Sequence, residues 1–133
     1  MDKILDLSEA TALRAYAKML NTLTLEPFDS LLSDDFVYES QNVLQALESK
    51  REFIEYIIPK LQTIRNSNAK VYAEMGTITA YRNNQPCVIV AQYDKSNLVA
   101  LVFAKTHKDK LKRLDLCVVP PPQDAERSGE YPM

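Results

Sequence analysis

Apolar and polar residues alternate along this chain with two different periods, and the change between them divides it in two. From Ser8 to Leu23 the apolar positions Leu13, Tyr16, Ala17 and Leu20 recur at helical spacing. Ser8 is placed to cap that helix, and Glu9 suits its positive end. A second, short helix is expected from about Glu26-Pro27, because proline is tolerated in a first turn. Phe28, Leu31 and Leu32 give it one apolar face, and Ser33-Asp34-Asp35 breaks it. Phe36 to Gln41 then alternates strictly. Phe36, Tyr38 and Ser40 fall on one side of the strand, and Val37, Glu39 and Gln41 on the other.

Ser49 followed by Glu52 has the spacing of a capping box. The helix it opens carries Phe53, Ile54, Ile57, Ile58, Leu61 and Ile64 as an apolar stripe. Pro59 lies inside that stripe, where it removes one backbone hydrogen bond. The stripe resumes in register beyond it, which predicts a kink and not an end. From Ala69 the period becomes two. Strands are expected over about 70–81, 86–94, 98–107 and 110–119, with turns at Asn83-Asn84, Asp94–Asn97 and Lys108-Asp109. Connections this short join antiparallel neighbours, so these strands form a meander. Pro120-Pro121-Pro122 stops the sheet. The division expected is one domain over 1–119 and a disordered, proline-rich tail over 120–133.

Length and charge remove several functions. A chain of 133 residues fits one domain with one main core. A net charge of -2 carries no footprint for nucleic acid or an anionic membrane, and no apolar run has spanning length. The opening Met1-Asp2-Lys3-Ile4 lacks the pattern of a secretory signal, so a cytoplasmic location is expected. Two glycines, Gly76 and Gly129, are too few for a phosphate-cradling loop. Cys87 and Cys117 are read as reduced and packed. His107 is the only histidine and stands among Lys105, Lys108 and Lys110, which disfavours a bound metal. No cofactor is expected.

The order helix, helix, strand, helix, antiparallel meander resembles the nuclear transport factor 2-like (NTF2-like) superfamily. That superfamily includes the ketosteroid isomerases and the polyketide-cyclase-like SnoaL group. The likeness covers about residues 8–119. It rests on Asp34-Asp35-Phe36-Val37-Tyr38-Glu39 as turn and strand, and on Ser49-Lys50-Arg51-Glu52-Phe53-Ile54 as helix start. Tyr38-Glu39-Ser40-Gln41, followed by Leu47, is most similar to uncharacterised bacterial members. The resemblance implies an α+β cone, a curved antiparallel sheet wrapped around a long helix, and often a homodimer through the sheet.

The isomerase-like members use a carboxylate base near the end of the first strand and a tyrosine donor on the first helix. That chemistry moves a proton beside a carbonyl and stabilises the oxyanion that forms. In this chain the base position falls on Ser40, while Tyr16 matches the neighbourhood of the donor. Glu39 is adjacent to Ser40 but alternates to the other face. A second polar set, Glu74, Gln92, Arg113 and Asp115, lies in otherwise apolar strands. Asp115 becomes a candidate base if its face lines the cavity, and an ordinary surface or interface residue if it does not. Tyr16, Tyr38, Tyr56, Tyr72 and Tyr93 come from separate elements and could converge on one pocket.

The expected function is binding of a small hydrophobic or partly polar molecule. Tyr16, Phe36, Tyr38, Ser40, Phe53, Tyr56 and Asp115 are the expected pocket, and the partner expected is a second copy docked through the sheet. One alternative is an isomerase or cyclase acting on a small hydrophobic carbonyl compound, with Asp115 as base and Tyr16 or Tyr38 as donor. The other is a structural homodimerisation module with a filled core.

Overall fold

The computed structural model describes residues 6–43, 45–80 and 83–133. Helix α1 (Glu9–Thr22) begins where Ser8 Oγ accepts from the Thr11 amide and ends at Leu23 in the left-handed region. The expected second helix is one short 3-10 turn, Phe28–Leu31. It ends early because Leu32 and Ser33 already belong to strand β1 (Leu32–Ser40). Phe28 and Leu32 are nevertheless buried, as their spacing implied.

Helix α2 (Lys50–Asn66) opens at Ser49, whose Oγ accepts from the Glu52 amide at 3.1 Å. Glu52 reaches back to the Glu48 amide at 2.7 Å, one residue earlier than the usual reciprocal bond. The helix runs on through Pro59 to Asn66. Its buried seam is Phe53, Ile57 and Leu61, while Ile58 is exposed.

Strands β2 (Val71–Ala80), β3 (Asn83–Gln92), β4 (Leu98–His107) and β5 (Lys110–Cys117) form the antiparallel meander. Asn83 and Asn84 lie within β3, paired with Ala80 and Thr79, so the first hairpin tip falls outside the described residues. At the second, Asp94 Oδ1 accepts from the Ser96 amide and Gln92 and Asn97 close the turn. At the third, Lys108 takes a positive φ. The sheet is mixed because β1 lies parallel to β5, with Phe36, Tyr38 and Ser40 directed inward. Leu47 pairs with Tyr38 along the free side of β1.

The segment after Pro120 differs from the expected disordered tail. It forms a 3-10 turn at Pro122–Asp124 and strand β6 (Glu126–Arg127), which extends the sheet to the order β1-β5-β4-β3-β2-β6. To travel from β5 to the far side of β2 the chain crosses the outer sheet face, where Ala125 packs on Ile78, Cys87, Ile89 and Leu101. Its composition is polar, but specific ties replace a large apolar area: Arg127 to Glu74, Ser128 and Glu130 to the Met75 backbone, and Arg14 to Glu130.

Two clusters follow from alternation. The inner face contributes Phe36, Tyr38, Met75, Val88, Val102 and Leu114 to the core beneath α1 and α2. The outer face holds the smaller cluster under the C-terminal strap. Cys87 lies in that outer cluster, and burial pushes its thiol up to about 11.

Candidate functional site

Bulky side chains leave a gap where α1, α2 and the inner sheet face diverge. The gap is a cavity of about 290 Å³. Leu20, Ile57, Val90, Ala100 and Leu116 supply its apolar wall, and Tyr16, Tyr38, Asn42, Lys60 and Gln92 its polar groups.

Two phenols meet at this wall, Tyr16 from α1 and Tyr38 from β1, and Tyr56 of α2 stands behind Tyr38. The Tyr38 and Tyr56 rings lie 5.7 Å apart, and Lys60 Nζ donates to Tyr56 Oη at 2.9 Å. Burial holds the Tyr16 hydroxyl well above the ordinary phenol range, with Tyr56 adding to the shift. Burial does the same for Tyr38, helped by the phenols of Tyr16 and Tyr56 and by hydrogen bonding to Tyr56. Both therefore stay neutral at physiological pH and can donate to a ligand oxygen.

Among the described residues lining the cavity there is no carboxylate, histidine or cysteine. The site offers two phenols, two carboxamides and the Lys60 ammonium, and no carboxylate to take a proton from carbon.

The sequence-predicted site is brought together in part. Tyr16 and Tyr38 line the cavity. Tyr56 backs Tyr38. Phe36 and Phe53 are fully buried behind it in an edge-to-face stack, with ring centroids 5.1 Å apart, and Phe28 continues the stack at 6.2 Å from Phe53. They shape the pocket and do not face it. Ser40 is buried, and its Oγ accepts from the Asn42 amide at 3.2 Å.

Asp115 is on the wrong side of the sheet for a cavity base. Leu114 and Leu116 point inward, so Arg113, Asp115 and Cys117 point outward. There Asp115 accepts from Arg113 Nε at 3.0 Å, and Glu39 of the neighbouring strand lies 3.2 Å from Arg113 Nη2. Glu39, Arg113 and Asp115 form one outward ion cluster. Tyr72 borders a separate lateral cleft, and Tyr93 is exposed. Gln92 was singled out for its polarity in an apolar strand, but Lys60 and Asn42 carried no pattern that marked them.

No family model matches this chain, and no curated protein matches it. Solved structures do. An NTF2-like protein of unknown function from Cytophaga hutchinsonii superposes with a TM-score of 0.57 at 12% identity, over 89% of this chain and 97% of that one. A candidate polyketide cyclase from Sinorhizobium meliloti gives 0.55 at 8% identity, over 80% and 93%. An uncharacterised cystatin-fold protein from Novosphingobium aromaticivorans gives 0.53 at 15%, over 80% and 97%. These likenesses establish the fold, which is the NTF2-like, cystatin-type α+β fold implied by the order of elements. Activity does not follow from fold.

Proposed function

We propose that this NTF2-like chain is a binding protein for a small, mostly apolar molecule carrying a carbonyl or hydroxyl group, with no catalytic residue in its cone. One observation carries this reading: the cavity is walled by aliphatic side chains, two phenols, two carboxamides and the Lys60 ammonium, without a carboxylate. Its volume of about 290 Å³ accommodates roughly ten water-sized groups, the scale of a monocyclic ligand. Tyr16, Tyr38, Lys60 and Gln92 would orient the polar end.

An isomerase or cyclase acting on the same class of compound needs a base at the cavity, and Asp115 lies across the sheet from it. A purely structural module is expected to have a filled core. Homodimerisation stays part of the proposal, confined to the β1–β5 half of the outer face, since the C-terminal strap occupies the β2–β4 half. Sedimentation at the highest soluble concentration tests this, and a monomer removes it.

The test of binding is calorimetric titration with simple aromatic ketones such as acetophenone, on the native chain and on Ala100→Phe, which fills the cavity. Binding that falls by at least about tenfold in Ala100→Phe and in Tyr38→Phe is the expected result. Failure of every ketone to bind, together with a higher melting temperature for Ala100→Phe, would make the cavity a packing void.

A further inference from the structure

A second concavity, of about 470 Å³, lies beside the cone, between the C-terminal ends of α1 and α2, the start of β2, the β3–β4 turn and the C-terminal strap. Leu20, Ile64 and Val71 form a wall common to both cavities. The lateral cleft is more cationic than the cone, whose lining carries Lys60 alone. Arg65, Lys70 and Lys95 line it, and among the described residues no acidic side chain does. This concentration of positive charge stands on a chain whose net charge is -2.

The three cations are not equivalent. Arg65 Nη2 donates to the Leu23 carbonyl at 2.7 Å, closing the end of α1. Its role there is structural. Lys95 sits between two aromatic rings, its Nζ 4.4 Å from the Tyr131 centroid and 5.6 Å from that of Tyr72. Glu74, the buried acid beneath this corner, is already matched by Arg127 at 2.7 Å. Asp94, next in sequence to Lys95, is turned toward Ser96. Among the described residues neither Lys70 nor Lys95 has a carboxylate within ion-pair distance.

We propose that this lateral cleft is a second ligand site, built for a small organic anion with an apolar body. The anionic group lies between Lys70 and Lys95, and the body lies along Leu20, Ile64 and Val71. A concave wall of low polarity strengthens the attraction of the two ammonium groups over that of isolated surface lysines. Tyr131 makes the site depend on the strap, which carries that ring to Lys95. The site shares the Leu20, Ile64 and Val71 wall with the cone, but Lys70 and Lys95 line the cleft alone, so its existence does not require the cone to bind anything.

The test is an amide-resolved NMR titration of the full chain with octanoate and, in parallel, with uncharged octanamide. Octanoate is expected to shift the amides of Ala69 to Tyr72 and of Tyr131, and to bind at least about tenfold tighter than octanamide. Lys70→Gln/Lys95→Gln should abolish that preference while keeping the spectrum of the folded protein. Ala100→Phe, which fills the cone, should leave octanoate binding unchanged. Equal affinity for the two ligands, an unaltered preference in the double variant, or loss of octanoate binding in Ala100→Phe would each overturn the proposal. The first two would show that the lysines do not select an anion, and the third that the ligand occupies the cone.

Discussion

Arg127 Nε donates to Glu74 Oε1 across 2.7 Å, joining a side chain that is 38% exposed to one that is 4% exposed. The asymmetry decides what each residue does. Glu74 is the buried charge that must be matched, and Arg127 is the group that brings the C-terminal strap to it. The Gly129 amide donates to the other carboxylate oxygen at 2.7 Å and Tyr131 Oη to the first at 3.3 Å, so the strap closes over Glu74 from three positions.

Removing both charges together should therefore harm the protein less than the two separate losses added. Arg127→Met leaves a buried carboxylate with one strong donor fewer, and a loss of about 2 kcal/mol is expected. Glu74→Gln/Arg127→Met should lose less than the sum of the two single variants, because no charge is stranded. Urea denaturation of the four proteins measures both. A silent Arg127→Met would mean that this pair does not hold the strap.

Gly76 faces the strap from β2. A Cβ there would stand 2.6 Å from Ile89 Cδ1 and 2.8 Å from the Glu126 carbonyl oxygen. The isoleucine end can turn aside, but the carbonyl belongs to β6 and moves only with it. Gly76→Ala should cost about 1–3 kcal/mol and speed hydrogen exchange at the Ser128 amide, which donates to the Met75 carbonyl. Adding Ile89→Val should recover only part of the loss. Full recovery would place the clash on the side chain alone.

The sequence made most of the cone legible because its signals are local. The Ser8 and Ser49 caps, the Phe53-Ile57-Leu61 seam and the alternation of Phe36, Tyr38 and Ser40 each report on nearest neighbours, and each is realised. The parallel pairing of β1 with β5 is a contact between distant segments, and no short pattern encodes it. The strap was illegible for a related reason. Pro120 to Met133 is poor in apolar residues, and its order comes from Arg127, Ser128 and Glu130 meeting residues some fifty or more positions earlier. Lys95 and Tyr131 therefore could not be read as neighbours. Asp115 was misplaced because alternation gives two faces and does not say which one the helices cover.

Asp115 offers a direct contrast between its two readings. On the outer face it completes the Glu39–Arg113–Asp115 cluster, with side-chain exposure of 27%. Asp115→Asn should lower stability by no more than about 1 kcal/mol, and less in high salt. Cone ligands should bind within about twofold of their native affinity, since the substitution lies across the sheet. A large loss of ligand affinity in Asp115→Asn would reverse the assignment of the two faces.

The buried phenols make alkaline stability diagnostic. Tyr16 and Tyr38 have folded pKa values raised above the ordinary 10.0 of an exposed phenol, chiefly by burial. Below pH 10 both the folded and the unfolded chain keep these protons, and the full stability is present. Above it the unfolded chain releases them while the folded chain holds them, so stability falls as pH rises toward the folded values. Each phenol contributes a slope of about 1.4 kcal/mol per pH unit in that window. Cys87, raised from 9.0 to about 11, adds a slope of the same sign that begins one unit lower. Tyr16→Phe and Tyr38→Phe should each flatten the decline above pH 10 by one proton's worth and leave the portion below it intact. In a spectrophotometric titration, tyrosinate absorbance from these two of the seven tyrosines should appear only as the chain unfolds. Their reversible ionisation in the folded protein near pH 10 would mean that water reaches the phenols freely, and the cavity would then be an open, wet cleft in place of a pocket with neutral phenol donors.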